Sequence, residues 1–120
     1  MPEIIKRIED TFEIKLYIGC RVGYHGKEIP KEELIECIGN FQSNYENHAP
    51  VRVTETQYVN QHYNEGGWEI GIINYPAKPM TKTQLEKFCS DLAVNLVESL
   101  KQQRISMVTK KKTIIFELKK

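Results

Sequence analysis

Residues 57–76 read QYVNQHYNEGGWEIGIINYP, and this stretch decides the fold. Strand-forming residues stand on both sides of a polar, glycine-rich segment at 64–67, which predicts a β-hairpin with its turn there. The run after the turn, residues 68–75, is apolar on both alternating faces. A strand of that kind usually lies in the centre of a sheet, so the rest of the chain is expected to pack around it.

Alternating apolar and polar residues predict the other strands. The alternation is regular at 11–18 and at 113–118, and it fades in the middle of 51–59, which is typical of a bulged or edge strand. A short run at 105–108 predicts a possible extra edge strand.

Two segments have the apolar spacing of three and four residues that amphipathic helices show. The first is expected to begin at Pro30, which suits the first turn of a helix, and to end near Asn44. The second begins with a capping box at Thr81 and Gln84 and runs to about Gln103.

The predicted order is strand, helix, strand, strand, helix, strand. Right-handed crossovers then favour a ferredoxin-like βαββαβ fold of the α+β class, a four-stranded antiparallel sheet with both helices on one face. The chain has 120 residues and neither a linker nor an internal repeat, so residues 1–120 are expected to form a single domain.

Composition and charge narrow the class of protein. Hydrophobic content of 40% and charged content of 28% are ordinary for a soluble domain, and no apolar run approaches the length of a membrane span. The charged N-terminus is unlike a secretion signal, which predicts a cytoplasmic protein.

The last twenty residues carry a net charge of +6 and the first hundred −5. A compact nucleic-acid binder usually has a stronger basic balance, so nucleic acid is not an expected partner.

The cysteines and histidines do not predict a metal or cofactor site. The spacings of Cys20, Cys37 and Cys89 fit neither a metal knuckle nor a redox pair, so small buried thiols are expected. Cys20 stands beside Arg21, a neighbour that lowers a thiol pKa, and is the one candidate for a reactive thiol.

The sheet face opposite the helices is a candidate interface. In the predicted fold it presents four large side chains, and such an apolar surface is typical of two sheets packed face to face in a homo-oligomer. These residues are Tyr17, Ile73, Tyr75 and Ile115. A ligand-stacking face and a terminal segment folded over the sheet are the alternatives. Recognition of RNA is disfavoured because residues 67–73 lack the basic residue and the aromatic pair of the RNA-recognition strand.

A ligand site is predicted where a basic, glycine-containing loop approaches the hairpin. Cationic side chains and close backbone suit an anion, and polar aromatic hairpins suit recognition. The candidate residues are Arg21, Tyr24, His25 and Lys27 in the loop, Asn60, His62, Tyr63 and Trp68 in the hairpin, and Arg104 from the basic end.

The sequence has neither a Walker loop nor a nucleophile elbow. The leading interpretation is therefore a small non-enzymatic, homo-oligomeric binding protein that sequesters or senses a small anionic, nucleotide-like ligand. Two alternatives stay open: a small enzyme that uses His25 and His62 in acid–base chemistry, and a pure protein–protein interaction module such as a phage-encoded inhibitor. The small size suits a phage or accessory protein.

Overall fold

The computed structural model describes residues 3–22, 26–75 and 79–119. The elements in chain order are β1 (Glu13–Gly19), α1 (Lys31–Ser43), β2 (Arg52–Asn60), β3 (Tyr63–Ile73), α2 (Lys82–Ser99), β4 (Arg104–Val108) and β5 (Thr113–Glu117). The strands form one antiparallel sheet in the order β2-β3-β1-β4-β5. This arrangement confirms the predicted α+β, ferredoxin-like fold class.

The fifth strand extends the predicted sheet. The run expected at 105–108 is β4, which pairs with β1 so that Ser106 lies opposite Tyr17. β5 pairs with the other side of β4 and forms the edge of the sheet.

Strand alternation places the core on the helix-covered face of the sheet. β1 buries Ile14, Leu16 and Ile18, and β3 buries Trp68, Ile70 and Ile72. α2 covers them with its apolar stripe, which consists of Leu85, Phe88, Cys89, Leu92, Ala93, Leu96 and Val97. The opposite residues of each strand therefore form an open face.

Both helices begin as the sequence predicts. Thr81 Oγ1 accepts a hydrogen bond from the Gln84 backbone N–H at 3.1 Å, and Gln84 Oε1 accepts one from the Thr81 N–H at 2.9 Å. α1 follows Pro30 and has Glu32 and Glu33 in its first turn, where the helix dipole favours negative charge. Within the described part of the chain, neither helix is long and apolar enough to cross a membrane.

The hairpin turn lies closer to the N-terminus than predicted. Asn60 pairs with Tyr63, so the turn is at Gln61 and His62, and Gln61 has a left-handed φ of 54°. Gly66 and Gly67 lie inside β3, opposite Gln57 and Thr56. The prediction of a turn at 64–67 was wrong because glycine also serves where another chain segment approaches closely.

Candidate functional site

The open face of β3 presents Gly67, Glu69 and Gly71 in succession. A Cβ atom at Gly67 would overlap the ring of Tyr58, and one at Gly71 would overlap the guanidinium of Arg52. These two long side chains of β2 therefore lie across the central strand above its glycines. Between them, the Glu69 side chain stands in the middle of the open face.

Charged side chains form a row across this face. Lys15 Nζ lies 3.0 Å from Glu69 Oε1 and 3.9 Å from Glu13 Oε1, and Arg52 Nη2 lies 2.7 Å from Glu13 Oε2. The hydrogen bond to Glu69 is the main cause that raises the pKa of Lys15. Solvent-accessible pairs of this kind contribute little to stability, but here they orient the Glu69 carboxylate.

Tyr58 is the most perturbed group of the open face. Its hydroxyl donates to the Ile18 carbonyl oxygen at 3.3 Å. Burial raises the pKa of Tyr58 to about 12, with smaller contributions from Tyr17, Glu69 and Glu65. The phenol is protonated at neutral pH, and because its single proton is donated to the Ile18 carbonyl oxygen, its hydroxyl oxygen remains only as a hydrogen-bond acceptor.

A cleft of about 430 Å³ opens next to Tyr58 on this face. It is lined by Tyr17, Ile18, Gly19, Tyr58, Glu65, Gln102, Gln103, Arg104 and Ser106. We call it the open-face cleft. Its volume falls in the range of roughly 300–1,000 Å³ that is typical of small-molecule sites. At its rim Arg104 Nε pairs with Glu117 Oε2 at 3.1 Å.

A second cavity of about 590 Å³ adjoins the open-face cleft at Glu65, which lines both. Its lining consists of Cys20, Arg21, Glu28, Gln57, Tyr63, Asn64, Glu65 and Gly66. Arg21 donates to the Gly26 carbonyl at 3.3 Å and pairs with Glu28 at 3.4 Å. The buried Gln102 side chain donates to the Arg21 carbonyl at 2.8 Å and ties the loop after β1 to the start of β4.

Three of the predicted ligand-binding residues lie at these two cavities. Arg21 and Tyr63 line the second cavity, and Arg104 lines the open-face cleft. Tyr24 and His25 lie outside the described residues. The structure thus brings the loop, the hairpin and the basic end together around Glu65.

The other predicted ligand-binding residues lie apart from the cavities. In the described ranges, Lys27, Asn60 and His62 are exposed and line neither cavity. Trp68 is only 5% exposed and packs into the core on the helix-covered face.

The predicted oligomer interface has a mixed character. Tyr17, Ile73 and Tyr75 are half-buried in the isolated chain, and Ile115 is exposed. The charged row described above crosses the same face, so this surface is less apolar than the pattern indicated. Its use as an interface stays a prediction.

The predicted ligand-binding set did not include Tyr58, Glu65, Glu69, Gln102 or Ser106. Glu69 was the available signal, because a carboxylate between two glycines on the exposed side of a central strand is unusual. The pairing register that places Tyr58 above Gly67 had no such signal.

The three cysteines are free. Burial raises the pKa of the Cys20 thiol, Glu65 and Glu28 raise it further, and the opposing effect of Arg21 is smaller. The expected activation of Cys20 by Arg21 is therefore outweighed. Among the described residues, no cluster of three His, Cys, Asp or Glu side chains is arranged to hold a metal ion.

Comparison with known proteins gives a likeness of structure. No protein-family model and no curated protein sequence matches the chain. A phage SAM lyase in complex with S-methyl-5'-thioadenosine superposes with a TM-score of 0.70 at 14% identity, over 97% of both chains. A phage SAM lyase in the apo state superposes with a TM-score of 0.61 at 12% identity, also over 97% of both chains. At these identities the likeness establishes a shared fold.

This comparison contradicts the leading functional prediction. A non-enzymatic binding protein was expected, whereas both structures that share the fold over nearly the whole chain are of an enzyme. The expectation against enzymatic activity is contradicted by the same finding. It depended on the lack of a nucleophile or metal motif, and a reaction that needs neither leaves no such motif in a sequence.

Proposed function

We propose that the protein is an enzyme that cleaves S-adenosylmethionine (SAM) in the open-face cleft and releases S-methyl-5'-thioadenosine. The observation that carries the proposal is the fold shared along 97% of both chains with a SAM lyase bound to that nucleoside. A cleft of suitable size, walled by Tyr17 and Tyr58 and bordered by Glu65, supports it.

The chemistry of this cleavage needs few protein groups. S-methyl-5'-thioadenosine is SAM without its amino-acid group, so the bond that breaks joins the sulfur to the γ-carbon of that group. The sulfur keeps the bonding electron pair and leaves as a neutral thioether. The carboxylate of the same substrate can attack the γ-carbon and close a five-membered lactone, which balances the reaction without water or a cofactor.

In such a step the sulfonium and carboxylate charges both disappear. Protein charges next to them would stabilise the substrate more than the transition state, which slows the reaction. Carboxylates that assist catalysis therefore bind substrate groups whose charge does not change in the reaction, namely the ammonium group and the ribose hydroxyls. We assign this role to Glu65, which lines the cleft, and to Glu69, which lies near Tyr58 on the same face and is held there by Lys15.

The two tyrosines suit the reacting end of the substrate. An aromatic face attracts a sulfonium cation without a full opposing charge, and the rings exclude water from the γ-carbon. Tyr58 adds a neutral hydroxyl, which the Ile18 carbonyl oxygen holds in place as the acceptor of its proton. Arg104 at the rim is paired with Glu117, which offsets its positive charge beside the cleft.

The proposal replaces the predicted anionic ligand with a substrate of net positive charge. The acidic side chains of the open face, Glu65 and Glu69, fit that sign better than the predicted basic loop does. SAM is an intracellular metabolite, so the predicted cytoplasmic location is part of this proposal.

The test is incubation of the purified protein with SAM, followed by chromatography and mass spectrometry of the products. We expect S-methyl-5'-thioadenosine and an equal amount of a lactone or its hydrolysis product. Glu69→Gln should lower kcat/KM roughly 10–100-fold, the value of one hydrogen bond to a charged group. Tyr58→Phe should lower kcat more than it changes KM.

The matched controls are Glu98→Gln and Tyr45→Phe. Glu98 lies on the exposed side of α2. The Tyr45 hydroxyl donates a hydrogen bond of 2.6 Å to Asp91, and neither residue lines the cleft. Both should keep wild-type turnover. SAM also decomposes spontaneously, so a protein-free sample gives the baseline. A rate equal to that baseline for the wild-type protein would overturn the proposal.

A further inference from the structure

The N-terminal segment, residues 3–11, forms an exposed apolar arm. It has no regular secondary structure, and Ile4, Ile5 and Ile8 are 97%, 88% and 82% exposed. The radius of gyration is 16.0 Å, whereas a compact chain of this length has about 14 Å. Three isoleucines in water on one short segment indicate a surface that is covered in the functional state.

The base of the arm is fixed. Asn74 Oδ1 accepts a hydrogen bond from the Phe12 N–H at 3.0 Å, and Asn74 Nδ2 donates to the Asp10 carbonyl at 2.7 Å. Asn74 follows β3, so the arm leaves the body on the β3 side of β1 and away from β4 and β5.

The edge strand β5 offers a matching surface. Among the described residues it pairs only with β4, and its outer backbone groups face no other strand. Ile114, Ile115 and Leu118 are 37%, 54% and 38% exposed. An open, apolar edge of this kind is a template for another strand. The opposite edge, β2, presents mostly polar side chains.

The arm and β5 carry the same apolar pattern. Two adjacent isoleucines are followed, after two residues, by a third aliphatic side chain in both segments. Parallel alignment with Ile4 beside Ile114 gives three aliphatic pairs and two pairs of opposite charge, and it leaves Lys6 beside Phe116. The aligned pairs are Ile4 with Ile114, Ile5 with Ile115, Arg7 with Glu117, Ile8 with Leu118 and Glu9 with Lys119. The antiparallel alignment that pairs Ile4 with Leu118 leaves Ile5 beside Glu117 and Arg7 beside Ile115.

We propose that the arm of one copy adds as a parallel strand to the β5 edge of a second copy of this chain. Backbone hydrogen bonds would give affinity, and the aligned isoleucines and charges would give register. The result would be a mixed sheet, and mixed sheets are common among large sheets.

The chain cannot make this contact with itself. The pairing register places Leu118 level with Cys20. Cys20 follows the C-terminal end of β1, whereas Glu13 is at its N-terminal end. If Ile8 lay beside Leu118 of its own chain, it would be about 23 Å from Glu13 along the strand direction. The five residue steps from Ile8 to Glu13 span at most about 18 Å. The occupant of the edge is therefore a second copy.

The first experiment is disulfide trapping in the full chain. Ile5→Cys combined with Ile115→Cys should give covalent species of two or more chains on a non-reducing gel after mild oxidation. The control combines Ile35→Cys, on the exposed side of α1, with Ile115→Cys and should stay monomeric, as should the wild-type chain with its native cysteines. A cross-link within one chain, no cross-link, or preferential trapping by Ile4→Cys with Leu118→Cys would overturn the proposal.

The second experiment measures self-association without new thiols. Light scattering over a concentration series should show wild-type protein above monomer mass. Ile5→Glu should raise the dissociation constant about tenfold or more, since burying one isoleucine side chain favours association by at least that factor. Ile35→Glu is the matched control and should associate like the wild type. A monomeric wild type, or equal association of Ile5→Glu and wild type, would refute the arm contact.

Discussion

Two glycines on the same face of β3 provide the sharpest test of how the open face is built. In Gly67→Ala the new methyl group meets the Ile18 carbonyl oxygen and the Tyr58 ring. The carbonyl belongs to the backbone of β1 and cannot move without disturbing the sheet. Overpacking of this kind costs about 1–3 kcal/mol. For a chain of this size each kcal/mol shifts Tm by about 3–5 °C.

Gly71→Ala differs only in what the methyl group meets. The obstacle is the end of the Arg52 side chain, which can rotate away. That movement gives up the exposed pair with Glu13, worth about 0–1 kcal/mol. Alanine in place of glycine recovers about 0.5–1 kcal/mol in a strand. The two effects offset each other, so Tm should stay within about 3 °C of the wild-type value.

Thermal unfolding and urea titration of both variants measure the difference. The same gain of about 0.5–1 kcal/mol applies to Gly67→Ala, so we expect it to unfold up to about 12 °C below the wild type, with Gly71→Ala close to the wild type. Equal losses in the two variants, or a larger loss in Gly71→Ala, would show that Gly67 is not the site of close approach. A crystal structure of Gly67→Ala should show the Tyr58 ring displaced from its contact with β3.

Three further variants test other features. Burial raises the pKa of Tyr58 from 10.0 to about 12. Between these pH values the folded state keeps a proton that the unfolded state loses. The stabilisation is therefore fully present below pH 10 and is lost as the pH rises to 12. Tyr58→Phe should therefore lose stability less steeply than the wild type in urea titrations across that range, and equal slopes would contradict the burial. Thr81→Ala removes the capping box and should lower the free energy of unfolding, measured in urea, by about 1 kcal/mol. Thr83→Ala, in the same exposed turn, should lower it by less than half as much. Equal losses would show that the capping box does not stabilise α2. Asn74→Ala frees the base of the arm and should speed amide exchange at Phe12 at least tenfold, and unchanged exchange would show that the arm is held by other contacts.

The proposed activity and the proposed self-association meet only at Glu117, which pairs with Arg104 at the rim of the cleft and would lie beside Arg7 of the arm. The cleft lies beside Tyr58 and Glu65, whereas the arm binds along β5 of a second copy. Ile5→Glu should thus separate the two: if it abolishes association and leaves turnover of SAM intact, the cleft is complete in one chain. Loss of both would indicate that a neighbouring copy completes the site.

The periodicity of the sequence determined the secondary structure and the side of each element that is buried. Alternation with a period of two assigned Ile14, Leu16 and Ile18 to the core, and spacing of three and four did the same for α2, because these periods follow directly from backbone geometry. The element order then restricted the fold class to the ferredoxin-like plan, which the structure confirms with a fifth strand, β5, at the edge of the sheet. Turn chemistry was less informative, since the glycine pair of β3 serves close packing and the turn lies at Gln61 and His62.

Only the tertiary structure decided where the candidate site lies. Tyr17, Tyr58, Glu65 and Arg104 come from four strands, and the pairing register alone brings them to one cleft. Local sequence carries no information on such register, because each strand's alternation is satisfied by several alignments with its neighbour. The question of enzyme or binding protein was beyond the sequence for the same reason. The proposed cleavage would use substrate groups and a shaped cleft, which requires positions in space and leaves no motif along the chain.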